Sequence, residues 1–69
     1  MDSAVLLTLD GILRLDNDAC RRSALHGLGH WRVYRPVEAT DVIDRFLREN
    51  PDLDPELRKY ASEARAGLV

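Results

Sequence analysis

Apolar positions recur at three- to four-residue spacing through most of this chain, in four stretches separated by short polar or proline-marked breaks. In the first, roughly Ser3 to Leu15, the residues Val5, Leu6, Leu9, Ile12 and Leu13 fall on one face at about 100° per residue. Asp2 or Ser3 is placed to cap it. Asp16-Asn17-Asp18 then breaks the pattern with side chains that favour turns and N-caps, so a second helix is expected from about Asp18 to Gly29 or Trp31. So short a connection forces the two helices into an antiparallel hairpin. Arg32 to Pro36 carries no helical pattern, and Pro36 disfavours helix at Arg35 while suiting the first turn of a third helix. That third stretch, about Val37 to Asn50, sets Ala39, Val42, Ile43, Phe46 and Leu47 against Glu38, Asp41, Asp44, Arg45 and Arg48, a plain amphipathic helix. Asn50-Pro51 ends it. Asp54-Pro55-Glu56 opens the fourth with a capping carboxylate, a proline in the first turn and an acid near the positive end of the helix dipole.

Helices two and four share a pattern. Asp18 to Trp31 aligns with Pro55 to Leu68 at an offset of 37 residues, so that Cys20 meets Leu57, Arg21 meets Arg58, Arg22 meets Lys59, Ala24 meets Ala61, Gly27 meets Ala64 and Trp31 meets Leu68. On a helical wheel Cys20, Ala24, Gly27, Leu28 and Trp31 lie within about 80° of one another, and Leu25 widens the arc to about 140°. An apolar arc that wide implies contact on more than one side. Self-similarity at this period is the signature of stacked two-helix units, each of which buries only part of its apolar surface alone. The expected fold is therefore all-α: residues 1–69 form one domain of two stacked antiparallel hairpins, about 3–31 and 37–68.

The cap, aliphatic residue, Arg, Arg/Lys and small residues of the inner helix resemble HEAT or armadillo-type repeats, with the right-handed stacking that implies. The segment Ser23-Ala-Leu-His-Gly-Leu-Gly-His-Trp31, the Val42-Ile43-x-x-Phe46-Leu47 helix and Leu57-Arg-x-Tyr60-Ala61-x-x-Ala64-x-x-Gly67 together resemble the C-terminal end of a group of bacterial proteins without assigned function. The resemblance covers about two repeats and implies a terminal repeat pair from a longer array, whose upstream region is missing here. It implies no reaction.

Size changes the picture more than composition does. For 69 residues, about 100 kcal/mol of ordering entropy opposes apolar burial of similar magnitude. With a single cysteine and no zinc-finger spacing, neither of the usual staples of a small domain is available, and association with another copy or another protein is expected instead. The longest uninterrupted apolar run, Ala4 to Leu7, falls far short of a membrane span, and its acidic neighbours Asp2 and Asp10 do not fit a signal peptide. The expected setting is cytoplasmic.

Charge is segregated along the chain. Residues 19–37 hold Arg21, Arg22, Arg32 and Arg35 and no acid, for +4, while the segments on either side are each −3 and the whole is −2. A basic belt between acidic ends suits the acidic part of another copy or of a protein partner. The overall acidity and the exposed Glu38, Asp41 and Asp44 argue against nucleic acid, even though helices two and three superficially mimic a helix-turn-helix.

The residues most suggestive of chemistry are His26 and His30, whose i, i+4 spacing lets two imidazoles reach one metal ion. Cys20 points some 80–120° away on the wheel and no acid lies between Ala19 and Val37, so a third ligand is not supplied locally. Their plain role is contact with a neighbouring helix or partner. Gly27, on the packed side, suits close backbone approach, and Gly29 suits either packing or a left-handed helix terminator. Trp31 and Tyr34 either cover the seam between hairpins or anchor a partner. Cys20, beside Arg21, occupies the position of Leu57 and reads as an inert core thiol. No nucleophile elbow, phosphate loop or paired carboxylates appear. The reading is a non-catalytic, cofactor-free interaction or scaffolding module that self-associates, with Arg22, His26, His30, Trp31 and Tyr34 as partner-binding residues. The alternative is a metal-binding helical domain that uses His26 and His30.

Overall fold

The computed structural model describes residues 2–68, and the side chains of Asp2 and Ser3, where the first cap is expected, lie outside the described part. The described residues form four helices and no strand: α1 (Asp2–Leu13), α2 (Asp18–Trp31), α3 (Pro36–Glu49) and α4 (Pro55–Arg65). Among the described residues no helix is long and apolar enough to cross a membrane.

The helices start where the capping chemistry places them. Asn17, extended at φ −151°, accepts the Cys20 N–H through its side chain, and Asp54 does the same for Glu56 and Leu57. Each satisfies donors that a helix start leaves unpaired. Both Pro36 and Pro55 sit in a first turn, where a missing N–H costs nothing. Helix α1 stops two residues sooner than its apolar pattern suggests, because the chain must turn at Arg14–Asp16 to bring Asn17 into its extended capping conformation. Leu15 is left half exposed as a result. Gly29 lies inside α2 and is buried, and the only described residue with positive φ is Gly67, at 78°. Gly29 is therefore a packing residue rather than a terminator: α2 runs on to Trp31, and the Arg32 N–H closes it onto the Leu28 and His30 carbonyls.

The two corners of the fold are built alike. Arg21 donates through Nε to the Leu13 carbonyl at 3.2 Å, and Arg58 donates through Nη2 to the Asn50 carbonyl at 3.2 Å, each eight residues back. Leu13 and Asn50 are themselves 37 residues apart, as are the caps Asn17 and Asp54. Each arginine thus satisfies an orphan carbonyl at the end of the preceding helix with a charged donor. The correspondence continues into the first helix of each pair, where Val5, Leu6 and Leu9 match Val42, Ile43 and Phe46.

Side-chain pairings fix the directions. Arg21 with Leu13 and Gly27 against Leu9 make α1 and α2 antiparallel; Arg65 with Asp44 and Arg58 with Asn50 do the same for α3 and α4. Arg14 with Glu49 and Arg45 with Asp10 make α1 and α3 parallel, and His26 with Tyr60 and Arg32 with the Arg65 carbonyl make α2 and α4 parallel. Helices α2 and α3 each touch all three others and α1 and α4 do not meet, but α2 packs most extensively, against α1 on one side and α4 on the other. That position explains the width of the α2 apolar arc. Leu25 and Leu28 on α2, Ile43 and Ala39 on α3, and Ala61 and Ala64 on α4 are all fully shielded from solvent. Burying each leucine or isoleucine side chain contributes about 1.5–3 kcal/mol. The alanines permit close approach of α4 to the core.

One position is suboptimal. Gly11 lies within α1, and a Cβ placed there meets no atom within 4 Å. Gly11→Ala is expected to stabilise the domain by about 1 kcal/mol, read as a rise of about 5 °C in the midpoint of a circular-dichroism melt.

Candidate functional site

The exposed strip of α2 that holds Arg22, His26 and His30 faces α4. His26 Nδ1 lies 3.2 Å from the Tyr60 hydroxyl, and His26 Nε2 lies 3.0 Å from His30 Nε2. The two imidazoles meet edge to face with centroids 4.5 Å apart. Arg22 stacks its guanidinium over the Tyr60 ring at 4.7 Å, a cation–π contact. Tyr60 is half buried and both histidines are exposed, so the chain of groups opens to solvent at His30. A shallow depression beside it is lined by Arg22, Glu56, Lys59, Tyr60 and Glu63.

This linkage arises from local rules. His26 and His30 share a face because they are one helical turn apart, and Tyr60 reaches His26 because α2 and α4 run parallel in contact. If Tyr60 donates to Nδ1, His26 Nε2 carries the hydrogen and donates to His30; if Nδ1 carries the hydrogen, Tyr60 accepts and the His26 Nε2 lone pair faces His30. Either arrangement keeps both contacts, the second with the hydrogen on His30 Nε2. Among the described residues the hydroxyl bonded to a histidine is that of Tyr60, and neither Cys20 nor a serine is bonded to one. Among the described residues no group of three or more His, Cys, Asp or Glu is placed to hold a metal ion, so Cys20 does not join the pair.

Trp31 and Tyr34 sit elsewhere, at the end of the molecule where α2 finishes and α3 starts. Their rings pack edge to face with centroids 5.6 Å apart. Trp31 is partly buried against the core, while Tyr34 is 73% exposed beside Val33 at 75% and Val37 at 66%. Leu68, at 74%, comes to the same end, because Arg32 bonds the Arg65 carbonyl and lies against Gly67. These apolar side chains are framed by Arg32 and Arg35. The opposite end, where α1 and α3 finish and α2 and α4 start, gathers Asp16, Asp18, Glu49, Asp52 and Asp54 around one open concavity with Arg21. The sequence-derived candidates therefore separate into two places: Arg22, His26 and His30 on the α2–α4 flank, and Trp31 with Tyr34 at the basic, apolar end.

Between them, Asp44 holds Arg65 through a bond of 2.6 Å from Nε, and that hydrogen bond first, then the carboxylate's charge, raises the guanidinium above its ordinary pKa. Like the Arg14, Arg35 and Arg45 pairs, it lies near the surface, where such pairs contribute little to stability. Tyr60 was not apparent as a functional residue from the sequence. The signal for it was its place one turn before Glu63, the internal-repeat counterpart of His26. No family model, no curated protein and no solved structure matches this chain.

Proposed function

We propose that the chain is a non-catalytic protein-interaction module, a HEAT-like pair of stacked hairpins, whose partner is a second copy of itself. The parallel pairings of α1 with α3 and α2 with α4, together with the repeated capping corners, support the stacked-hairpin reading. The observation that carries self-association is the cluster of Val33, Tyr34, Val37 and Leu68 left exposed at one end. Aromatic and aliphatic groups framed by arginine are the composition of an interface centre. The occupant is set by charge: the acidic concavity of Asp16, Asp18, Glu49, Asp52 and Asp54 at the other end of the same chain complements the Arg32 and Arg35 frame. A head-to-tail contact of this kind is heterologous and adds copies in line rather than closing a pair. A cytoplasmic setting fits an uncrosslinked thiol at Cys20.

Light scattering coupled to size exclusion over a dilution series tests the proposal. The mass should rise with concentration, fall in about 0.5 M salt as the charges are screened, and drop to that of one chain in Tyr34→Asp/Val37→Asp with helicity unchanged. A wild-type particle of single-chain mass at every concentration up to about 0.5 mM would reject it.

A further inference from the structure

We infer that His26 and His30 form a bidentate site for a divalent transition-metal ion of the imidazole-binding class, copper(II), nickel(II) or zinc(II), oriented by Tyr60. This inference does not depend on self-association. The two Nε2 atoms converge at 3.0 Å. For metal–nitrogen bonds of about 2.0–2.1 Å that separation subtends about 95° at the ion, close to the angle between neighbouring ligands in square-planar or octahedral coordination, while tetrahedral coordination would need about 3.3 Å. The separation therefore suits copper(II) and nickel(II) once the hydrogen between the two nitrogens leaves and both rings turn their lone pairs to the ion, and zinc(II) also requires the rings to part by a few tenths of an ångström. Two ligands one helical turn apart on a continuous helix are already positioned, so little ordering cost attends binding.

The Tyr60 hydroxyl gives the pair a supporting contact that a chance surface pair lacks. With an ion on both Nε2 atoms, each histidine carries its hydrogen on Nδ1, and His26 Nδ1 donates to the Tyr60 oxygen 3.2 Å away. Holding the second ring nitrogen in this way fixes the tautomer and aims the lone pair, which is how metal-bound histidines are usually supported. The local charges act in both directions. Arg22 over the Tyr60 ring and Lys59 oppose a cation, and Glu63, one turn beyond Tyr60 and lining the same depression, offsets them. Water completes the coordination on the exposed side.

Calorimetric titration of the untagged chain with copper(II), nickel(II) and zinc(II) chlorides tests the site. One ion per chain should bind with a dissociation constant in the micromolar range, copper(II) tightest in keeping with the general order of divalent affinities. His26→Ala and His30→Ala should each weaken binding at least tenfold. Tyr60→Phe should weaken it about tenfold while Tyr34→Phe leaves it unchanged. All four positions are exposed or half exposed, so circular dichroism should show the variants folded. Unchanged binding in His26→Ala/His30→Ala, no heat at about 0.1 mM protein, or one ion shared by two chains would each overturn the assignment.

Discussion

Leu25→Ala is expected to abolish the cooperative thermal transition of this domain. Leu25 has no exposed surface and lies on α2, which contacts every other helix, so the space left by truncation is bounded on several sides and cannot collapse easily. Substitutions of this kind cost about 3–5 kcal/mol, the lost transfer energy plus the cavity. A 69-residue domain has about 3–10 kcal/mol of stability in total. The variant should then populate unfolded chain at room temperature, seen as a loss of helical ellipticity and a urea transition displaced toward zero denaturant. Leu7→Ala, at a leucine 70% exposed, should change stability by less than about 0.5 kcal/mol. If the two variants melted alike, the assignment of the core to α2 would be untenable.

The opposite change, Ala61→Leu, is expected to cost about 2–3 kcal/mol through overpacking. Ala61 is wholly shielded on the core-facing side of α4, which packs on both α2 and α3, and its repeat counterpart Ala24 is 1% exposed. A branched side chain at position 61 must push α4 away from the helices it packs on, α2 among them. Separation would lengthen the His26–Tyr60 contact, which now stands at 3.2 Å. The variant should therefore lose stability in denaturant titration and also lose the part of metal affinity that Tyr60 supplies. Ser62→Leu, one residue along and exposed, should do neither. Near-wild-type stability in Ala61→Leu would mean that α4 is not seated as closely as its alanines imply.

Much of the architecture was legible because it is encoded locally. Asp54-Pro55-Glu56 announced the start of α4, and the Asp16-Asn17-Asp18 turn announced the first hairpin, through side chains that bond their own backbone. The offset of 37 residues showed that Arg21 and Arg58 are equivalent, although their shared function in closing helix ends is visible only in three dimensions. The flank site was half legible. Periodicity placed His26 and His30 on one face, but the face of a helix does not reveal how far a neighbouring helix slides along it. The contact of His26 falls on Tyr60, 34 residues on, rather than on its repeat equivalent Glu63, one turn further. That axial shift is a property of the packed pair, which no pattern within a single helix records. The end cluster was legible only at Trp31 and Tyr34: Val33 and Val37 belong to no apolar stripe, and only the turn that carries them to one end with Tyr34 makes them a surface.

The arginine-closed corners bear on the order in which this molecule acquires its shape. Each ties atoms only eight residues apart, so its closure loses little chain entropy and does not await the rest of the fold. Hairpins set by such short-range contacts can form on microsecond timescales, leaving the meeting of α2 with α4 as the slow event. On this order of events, substitutions at the seam between α2 and α4 should slow refolding more than substitutions at either corner.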